Sequence, residues 1–168
     1  MPVVEGDVSK LVGRRMGEIC ENHYDTPAEN HCAHFVSHAL GIHIGLVCGS
    51  LSASAAARGT GATVRCNELF NGLPLRGAWA DRPLNRAPLL VFVTFTQNVT
   101  GNLMGMMPSK HVGICFTQSV YNFSNSDHLV RFDDSPEAFF SRMSSYYRSV
   151  HPRLGNLGLY YAVPPVQG

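Results

Sequence analysis

The sequence lacks a long hydrophobic run. None of its apolar stretches approaches the roughly 18 residues needed to cross a bilayer, so no membrane span is expected. The first residues, "MPVVEGDVSKLVGRRMGEIC", also lack a basic segment followed by an uninterrupted apolar stretch, which a secretory signal requires. The expected location is therefore the cytoplasm, unless a specialised route exports the protein.

Charge is scarce and nearly balanced. Charged residues make up 15% of the chain and the formal net charge is +1, with no basic run and no RNA-binding or zinc-finger signature. These features give no electrostatic reason to expect binding to nucleic acid or to an anionic membrane. The hydrophobic fraction of 45% and the length of 168 residues instead predict one folded domain spanning 1–168.

The cysteines form no recognisable framework. They are odd in number and scattered, without a CxxC pair, which is typical of reduced thiols in the cytosol rather than of disulfides. Free cysteines are usually buried as small hydrophobic residues, so four of the five are expected to be inert. The five positions are Cys20, Cys32, Cys48, Cys66 and Cys115.

Hydrophobic periodicity predicts helices in the first half of the chain. Asp7 is a suitable N-cap for a helix over 7–20, and "HCAHFVSHAL" predicts a second helix that Gly41 would end. The stretch 48–64 is rich in glycine and small residues, which predicts a flexible loop beside a cleft. A short helix is expected over 64–71, ending near Gly72.

Strand patterns dominate the second half. The runs "LLVFVTF", "KHVGICFT", "SVYNFS", "HLVRFD" and "LGLYYAV" predict strands, whereas 98–109 is expected to be a loop. Ser135 and Pro136 are a suitable N-cap and first residue for one further helix. The order predicts an α+β fold in which N-terminal helices pack on a central antiparallel β-sheet.

Cys32 lies in the first turn of the predicted second helix. The helix dipole and the unpaired N–H groups lower the pKa of a thiol there, and the same N–H groups could bind an oxyanion. A nucleophilic cysteine also needs a base and a group that orients the base. His111 opens a predicted strand and is the better base, because the nearby histidines of the helix point away from Cys32. Asn122 lies on the next strand and could orient the imidazole.

Three short motifs carry a family resemblance. "HCAHFVSHAL" resembles the nucleophile helix of the NlpC/P60 superfamily of papain-like cysteine hydrolases, "KHVGICF" resembles its histidine strand, and "SVYNFSNS" resembles the strand after it. The resemblance implies that Cys32 is the nucleophile, His111 the base and Asn122 the orienting residue. It also implies that Tyr24 and Ala33 line the oxyanion or substrate region.

The same resemblance implies an activity. It suggests a cysteine peptidase or amidase that cleaves an amide or peptide bond through a thioester, most simply in bacterial peptidoglycan peptide. That chemistry requires neither a metal nor an organic cofactor. The partner would be a peptide or cell-wall peptide substrate, and an exported toxin of this type would also have an immunity or inhibitor protein. A phage-type lysin is a further form of the same activity.

Two other functions remain open. "NHCAHFV" is also similar to the "NCEHFV" of relatives of lecithin:retinol acyltransferase, in which the histidine precedes the cysteine, whereas here Cys32 precedes His111. A thiol acyltransferase acting on lipids is therefore an alternative. A non-catalytic binding domain on the same fold, with an inert Cys32, is the other.

Several polar residues have structural interpretations. His34 and His38, four apart on a helix, could bind a metal with His31 or His43, but no HExxH-type acidic residue accompanies them, which favours exposed helix histidines. The adjacent acids at 133–134 are expected to be a solvated pair beside the last helix.

Overall fold

The computed structural model describes residues 2–165, which form helices packed on a β-sheet. The helices are α1 (Glu5–Ser9), α2 (Met16–Ile19), α3 (Cys32–Leu40), α4 (Cys66–Gly72) and α5 (Pro136–Val150). The strands are β1 (Arg76–Ala78), β2 (Leu89–Phe95), β3 (Val99–Thr100), β4 (Leu103–Met104), β5 (Lys110–Cys115), β6 (Val120–Ser124), β7 (Leu129–Asp133) and β8 (Leu157–Ala162).

Six of these strands form the central sheet, in the order β1-β8-β2-β5-β6-β7. Every strand pair within residues 2–165 is antiparallel. Strand β2 lies between β8 and β5 and all seven of its residues are buried, as its continuous run of apolar and β-branched residues predicts. The predicted α+β fold with a central antiparallel sheet is confirmed.

The sheet has a hydrophobic core on each face. Helices α3 and α4 pack on one face, where Val112 and Ile114 of β5 contribute to the core. Helix α5 covers the other face, to which Cys115 of the same strand belongs. Alternation along β5 places His111 on the α5 face, stacked on the ring of Phe139 with 5.7 Å between the centroids.

The N-terminal segment differs from its prediction. The single helix expected over 7–20 is wrong, because α1 and α2 are separate and Gly13 between them has a φ of +84°. The Gly13 N–H donates to the Val130 carbonyl at 2.8 Å, and the Val130 N–H donates to the Arg14 carbonyl at 2.9 Å. This pairing with β7 replaces the hydrogen bonds of a continuous helix.

The ends of the other helices match the sequence. Helix α3 begins at Cys32, and Gly41 follows it in the left-handed conformation with a φ of +65°. Helix α5 begins at Pro136, and the Ser135 hydroxyl accepts the Ala138 N–H at 3.0 Å. No helix within residues 2–165 is long and apolar enough to span a membrane.

Two regions expected to be loops contain regular structure. The glycine-rich stretch forms short 3-10 helices at Cys48–Leu51 and Ala55–Ala57, and Val47 forms a bridge with Thr63. Within it the Cys48 side chain is fully buried. The short strands β3 and β4 form a hairpin where only a loop was expected.

Candidate active site

Cys32 is the first residue of α3, which packs against β5 and β6. The residue is only 1% exposed, and its thiol lies 4.0 Å from the Lys110 carbonyl at the start of β5. The helix end and the strand end therefore meet at the sulfur. The apolar stripe of α3 holds this position, since Phe35, Val36 and Leu40 are buried in the core.

His111 and Asn122 lie side by side on β5 and β6. The register pairs Gly113 with Asn122, so both polar side chains point to the α5 face of the sheet. The His111 Nε2 is 3.1 Å from the Asn122 Oδ1, and both residues are buried. The predicted contact between these two residues is present.

The partners of Asn122 fix which way its amide points. Its Nδ2 donates to the Asp133 carboxylate at 3.0 Å, and its Oδ1 accepts from the Arg142 guanidinium at 3.1 Å. A carboxylate can only accept and a guanidinium can only donate, so the amide cannot be reversed without losing both bonds. The His111 Nε2 must therefore carry a proton to donate to Oδ1, so that Nδ1 is the nitrogen that can accept a further proton.

Arg142 and Asp133 complete this hydrogen-bond network as an ion pair. The guanidinium donates twice to the carboxylate, from Nε at 2.9 Å and from a terminal nitrogen at 2.8 Å. The hydrogen bonds to Asp133 raise the pKa of Arg142, so its charge is fixed. The Asp133 side chain is only 11% exposed, so the solvated acidic pair expected at 133–134 is wrong for this residue.

The surroundings of Cys32 favour its thiolate. A hydrogen bond from the Cys66 thiol and, against the cost of burial, the hydrogen bond and charge of His111 hold the pKa of Cys32 well below its ordinary value. The Val112 N–H contributes in the same direction. His111 thus favours the ionised form of the Cys32 thiol.

Cys66 is the first residue of α4 and is buried beside Cys32. The hydrogen bond to Cys32 raises the pKa of Cys66 well above its ordinary value, and burial adds to this effect. Between the two thiols, Cys32 is the one that ionises, because only Cys32 also receives the contacts from His111 and Val112. No sequence pattern connects these two cysteines, which lie 34 positions apart.

A cleft of about 550 Å³ opens beside the imidazole. The segment 27–30, residues of β5, β6 and α5, and Asn125 after β6 form its walls, and His111, Arg142 and Tyr147 are among them. Cys32 is not part of the cleft surface. A ligand in the cleft would reach the base directly, whereas the sulfur lies beneath the surface.

The backbone donors at the start of α3 are occupied. The Cys32 N–H donates to the Asn30 Oδ1 at 3.0 Å, and the His31 N–H donates to the Asn125 Oδ1 at 2.9 Å. The two asparagines also bond to each other, at 3.1 Å. An oxyanion could use the Cys32 N–H only after the Asn30 side chain had moved away.

Neither of the two residues expected to line the oxyanion or substrate region borders the cleft. The Tyr24 ring contacts the imidazoles of His31 and His34, each at 5.3 Å between centroids, and does not border the cleft. Ala33 is 1% exposed and belongs to the core. The structure thus brings together Cys32, His111 and Asn122, and leaves Tyr24 and Ala33 outside the cleft.

The histidines of α3 are not exposed on a helix surface, contrary to expectation. His34 is completely buried and His38 is half-buried. Their side chains meet two cysteines from other segments, and the ligand atoms of the four residues all lie within 4.8 Å of one another. This Cys2His2 cluster, which could hold a metal ion, consists of Cys20, His34, His38 and Cys48.

Comparison with known proteins gives no relative for this chain. No protein-family model matches the sequence, and neither a curated protein nor a solved structure is detectably similar to it. A function for this protein must therefore be inferred mainly from the arrangement of the site.

Proposed function

We propose that this protein is a cysteine-dependent hydrolase with a papain-like fold of the NlpC/P60 type, acting on an amide or peptide bond. Cys32 is the nucleophile, His111 the base, and Asn122 the residue that orients the base. The proposal assigns a specific reaction to the buried cysteine, histidine and asparagine of this α+β fold.

The observation that carries this proposal is the hydrogen bond from the His111 ring to Asn122. Its Nε2 donates to Asn122, whose amide is held in one orientation by Arg142 and Asp133. Nδ1 is thereby free to accept a proton, and the imidazole lowers the pKa of the Cys32 thiol. A nucleophile, a base and an orienting group in this relation are what thiol acyl transfer requires.

The reaction follows from these roles. Nδ1 of His111 removes the proton of Cys32, and the thiolate attacks the carbonyl carbon to give a tetrahedral oxyanion. Collapse of the oxyanion breaks the C–N bond, and His111 returns the proton to the leaving amine. Water activated by the same imidazole then hydrolyses the thioester. Stabilising the oxyanion with the Cys32 N–H requires Asn30 to release that group.

The substrate class rests on the motifs alone. Their resemblance to the NlpC/P60 superfamily suggests an amide in bacterial peptidoglycan peptide. The cleft beside His111 has side-chain amides at 30 and 125, the Arg142 guanidinium and the tyrosines 146–147, which suit an extended peptide with polar groups.

A second candidate is a non-catalytic binding domain. The specific observation in its favour is that the Cys32 thiol is covered and its backbone N–H is already bonded to Asn30. In such a protein the cleft would bind a peptide, and the thiol would only fill space in the core.

The first test is the pH dependence of iodoacetamide labelling at all five cysteines, located by peptide mapping. We expect Cys32 to label with a midpoint below about 8.5, the usual pKa of a free cysteine, because His111 and Cys66 stabilise its thiolate. His111→Ala should raise that midpoint. Midpoints rather than absolute rates are compared, since the burial of Cys32 slows every reagent.

His151→Ala is the matched control, because His151 borders the same cleft but makes an edge-to-face contact with Phe95. It should leave the Cys32 midpoint unchanged. An ordinary midpoint at Cys32 in the wild type would contradict the catalytic pair. If the pair is present, digestion of muropeptides by wild type but not by Cys32→Ala tests the substrate.

A further inference from the structure

The Cys2His2 cluster lies apart from the proposed catalytic pair and joins three distant segments. Cys20 follows α2, the two histidines are one turn apart on α3, and Cys48 begins a 3-10 helix in the glycine-rich stretch. Both cysteines and His34 are buried. Two sulfurs and two imidazole nitrogens are a donor set that favours zinc over magnesium or calcium.

Two distances within the cluster match those of a tetrahedral centre. Bond lengths of about 2.3 Å for Zn–S and about 2.05 Å for Zn–N imply a separation of about 3.8 Å between two sulfurs and about 3.6 Å between sulfur and nitrogen. The Sγ atoms of Cys20 and Cys48 are 3.7 Å apart, and the Sγ of Cys48 is 3.6 Å from the Nε2 of His38.

Hydrogen bonds around His34 leave its Nε2 with a free lone pair. The His31 Nε2 lies 2.8 Å from the Thr26 carbonyl, which can only accept, so His31 carries its proton on Nε2 and its Nδ1 is an acceptor. The His34 Nδ1 lies 3.0 Å from that atom and must donate to it. The Nε2 of His34 is therefore unprotonated, and it is a buried atom with no hydrogen-bond partner.

The surroundings of Cys48 suit a thiolate that binds a metal. Its sulfur accepts from the Asn22 side chain and from the Ala62 backbone N–H, each at 3.3 Å. Gly61 makes this approach possible, since a Cβ there would lie 2.4 Å from the Cys48 sulfur, and its φ is +96°. Such donors to a ligating atom fix its orientation and support its charge.

We propose that the Cys2His2 cluster binds one zinc ion as a structural site. Two thiols and two neutral imidazoles bind the ion with the release of two protons, and the resulting centre carries no net charge, which suits its burial. All four positions of the tetrahedron are filled by the protein, so none is open for a substrate. The ion ties the N-terminal segment and the glycine-rich stretch to α3.

The test begins with the wild-type protein, purified under reducing conditions. We expect one zinc ion per chain by elemental analysis, and replacement by cobalt should give the intense ligand-field bands of a tetrahedral site together with sulfur-to-metal charge transfer. Removing the ion with a chelator should lower the melting temperature. Cys48→Ser and His38→Ala should lose the zinc, whereas Cys115→Ser, which removes a buried thiol outside the cluster, should retain it.

The cobalt spectrum requires only the wild-type protein, so it tests for the metal site even if the cluster variants fail to fold. Folded, reduced wild type that takes up neither zinc nor cobalt would overturn the proposal. So would retention of zinc by a folded Cys48→Ser variant. A disulfide between Cys20 and Cys48 in protein purified anaerobically would also overturn it, since disulfide sulfurs cannot serve as two thiolate ligands.

Discussion

At the scale of single residues, the pair of thiols beneath the cleft is the most informative feature. Cys32 and Cys66 are each the first residue of a helix, so the positive ends of two helix dipoles meet there. The hydrogen bond between the two thiols lowers the pKa of Cys32 and raises the pKa of Cys66. His111 further favours the thiolate of Cys32.

Replacing Cys66 by alanine tests this relation. The Cys32 thiolate would lose its largest stabilising contact, so we expect the pKa of Cys32 to rise, because a hydrogen bond to the charged form favours that form. The ultraviolet absorbance of the thiolate, titrated against pH and corrected with the Cys32→Ser variant, measures the shift. Cys115→Ala should leave the titration of Cys32 unchanged. A lower Cys32 pKa in Cys66→Ala would show that Cys66 does not donate to it.

The sequence predicted part of this site and could not predict the rest. Cys32, His111 and Asn122 could be found because each lies within a short motif and they follow one another in a known order. Cys66 and Arg142 could not, because each is an ordinary residue of a helix whose partners are distant in sequence. Only the three-dimensional packing of α4 and α5 brings them to the site.

At the scale of elements, one partly buried carboxylate connects two strands and a helix. Asp133 ends β7, accepts from Asn122 on β6, and binds Arg142 on α5 through two hydrogen bonds. Loss of its charge would weaken the attachment of α5 to the sheet and would also release the amide that orients His111.

Asp133→Asn keeps the size of the side chain and removes its charge. We expect it to lower the free energy of unfolding by about 1–2 kcal/mol, the cost of hydrogen bonds to a partly exposed charged group. Urea denaturation measures this loss. Asp134→Asn is the matched control, because Asp134 is exposed and adjacent, and it should change stability by no more than about 0.5 kcal/mol. Equal losses in the two variants would contradict the role of Asp133.

Elements governed by local signals were easier to predict than those governed by distant ones. Gly41 after α3 and Ser135 before α5 act on their own helices, and both ends were predicted. The break between α1 and α2 depends on hydrogen bonds from 13–14 to Val130, more than a hundred residues away. A periodic pattern over 7–20 contains no information about that partner.

At the scale of the whole molecule, buried thiols make stability depend on pH in alkaline solution. Burial raises the pKa of Cys115 to about 11, so the folded protein keeps this thiol protonated while the unfolded chain ionises from about pH 9. The stabilisation is complete below that pH and is lost as the pH rises through 11. A shift of this size corresponds to about 2–3 kcal/mol.

As the pH rises from about 9 to about 11, the free energy of unfolding should therefore fall less for Cys115→Ala than for the wild type. Removal of the sulfur lowers stability at every pH, so the slope against pH rather than the absolute value carries the test. Guanidinium denaturation at several pH values gives both slopes. Parallel slopes would mean that Cys115 ionises equally in the folded and unfolded states.

The overall architecture was also partly predictable. The runs that became β2, β5, β6, β7 and β8 are each visible as strands, and their spacing indicated antiparallel pairing. The Cys2His2 cluster was not predictable as a unit, because its cysteines lie 14 residues before His34 and 10 residues after His38 without paired spacing. Only two of its four members, the histidines of α3, were identified as possible ligands.

Hydrogen bonds between residues 13–14 and Val130 also bear on self-association. β7 is the last strand of the sheet, and the outward N–H and C=O of a last strand can be extended by a strand from a second molecule. Here the N–H and C=O of Val130, near the centre of that strand, are both occupied by the chain's own segment. The opposite border is formed by β1, which is only three residues long. The N-terminal segment thus acts as a cover that discourages edge-to-edge aggregation of the sheet.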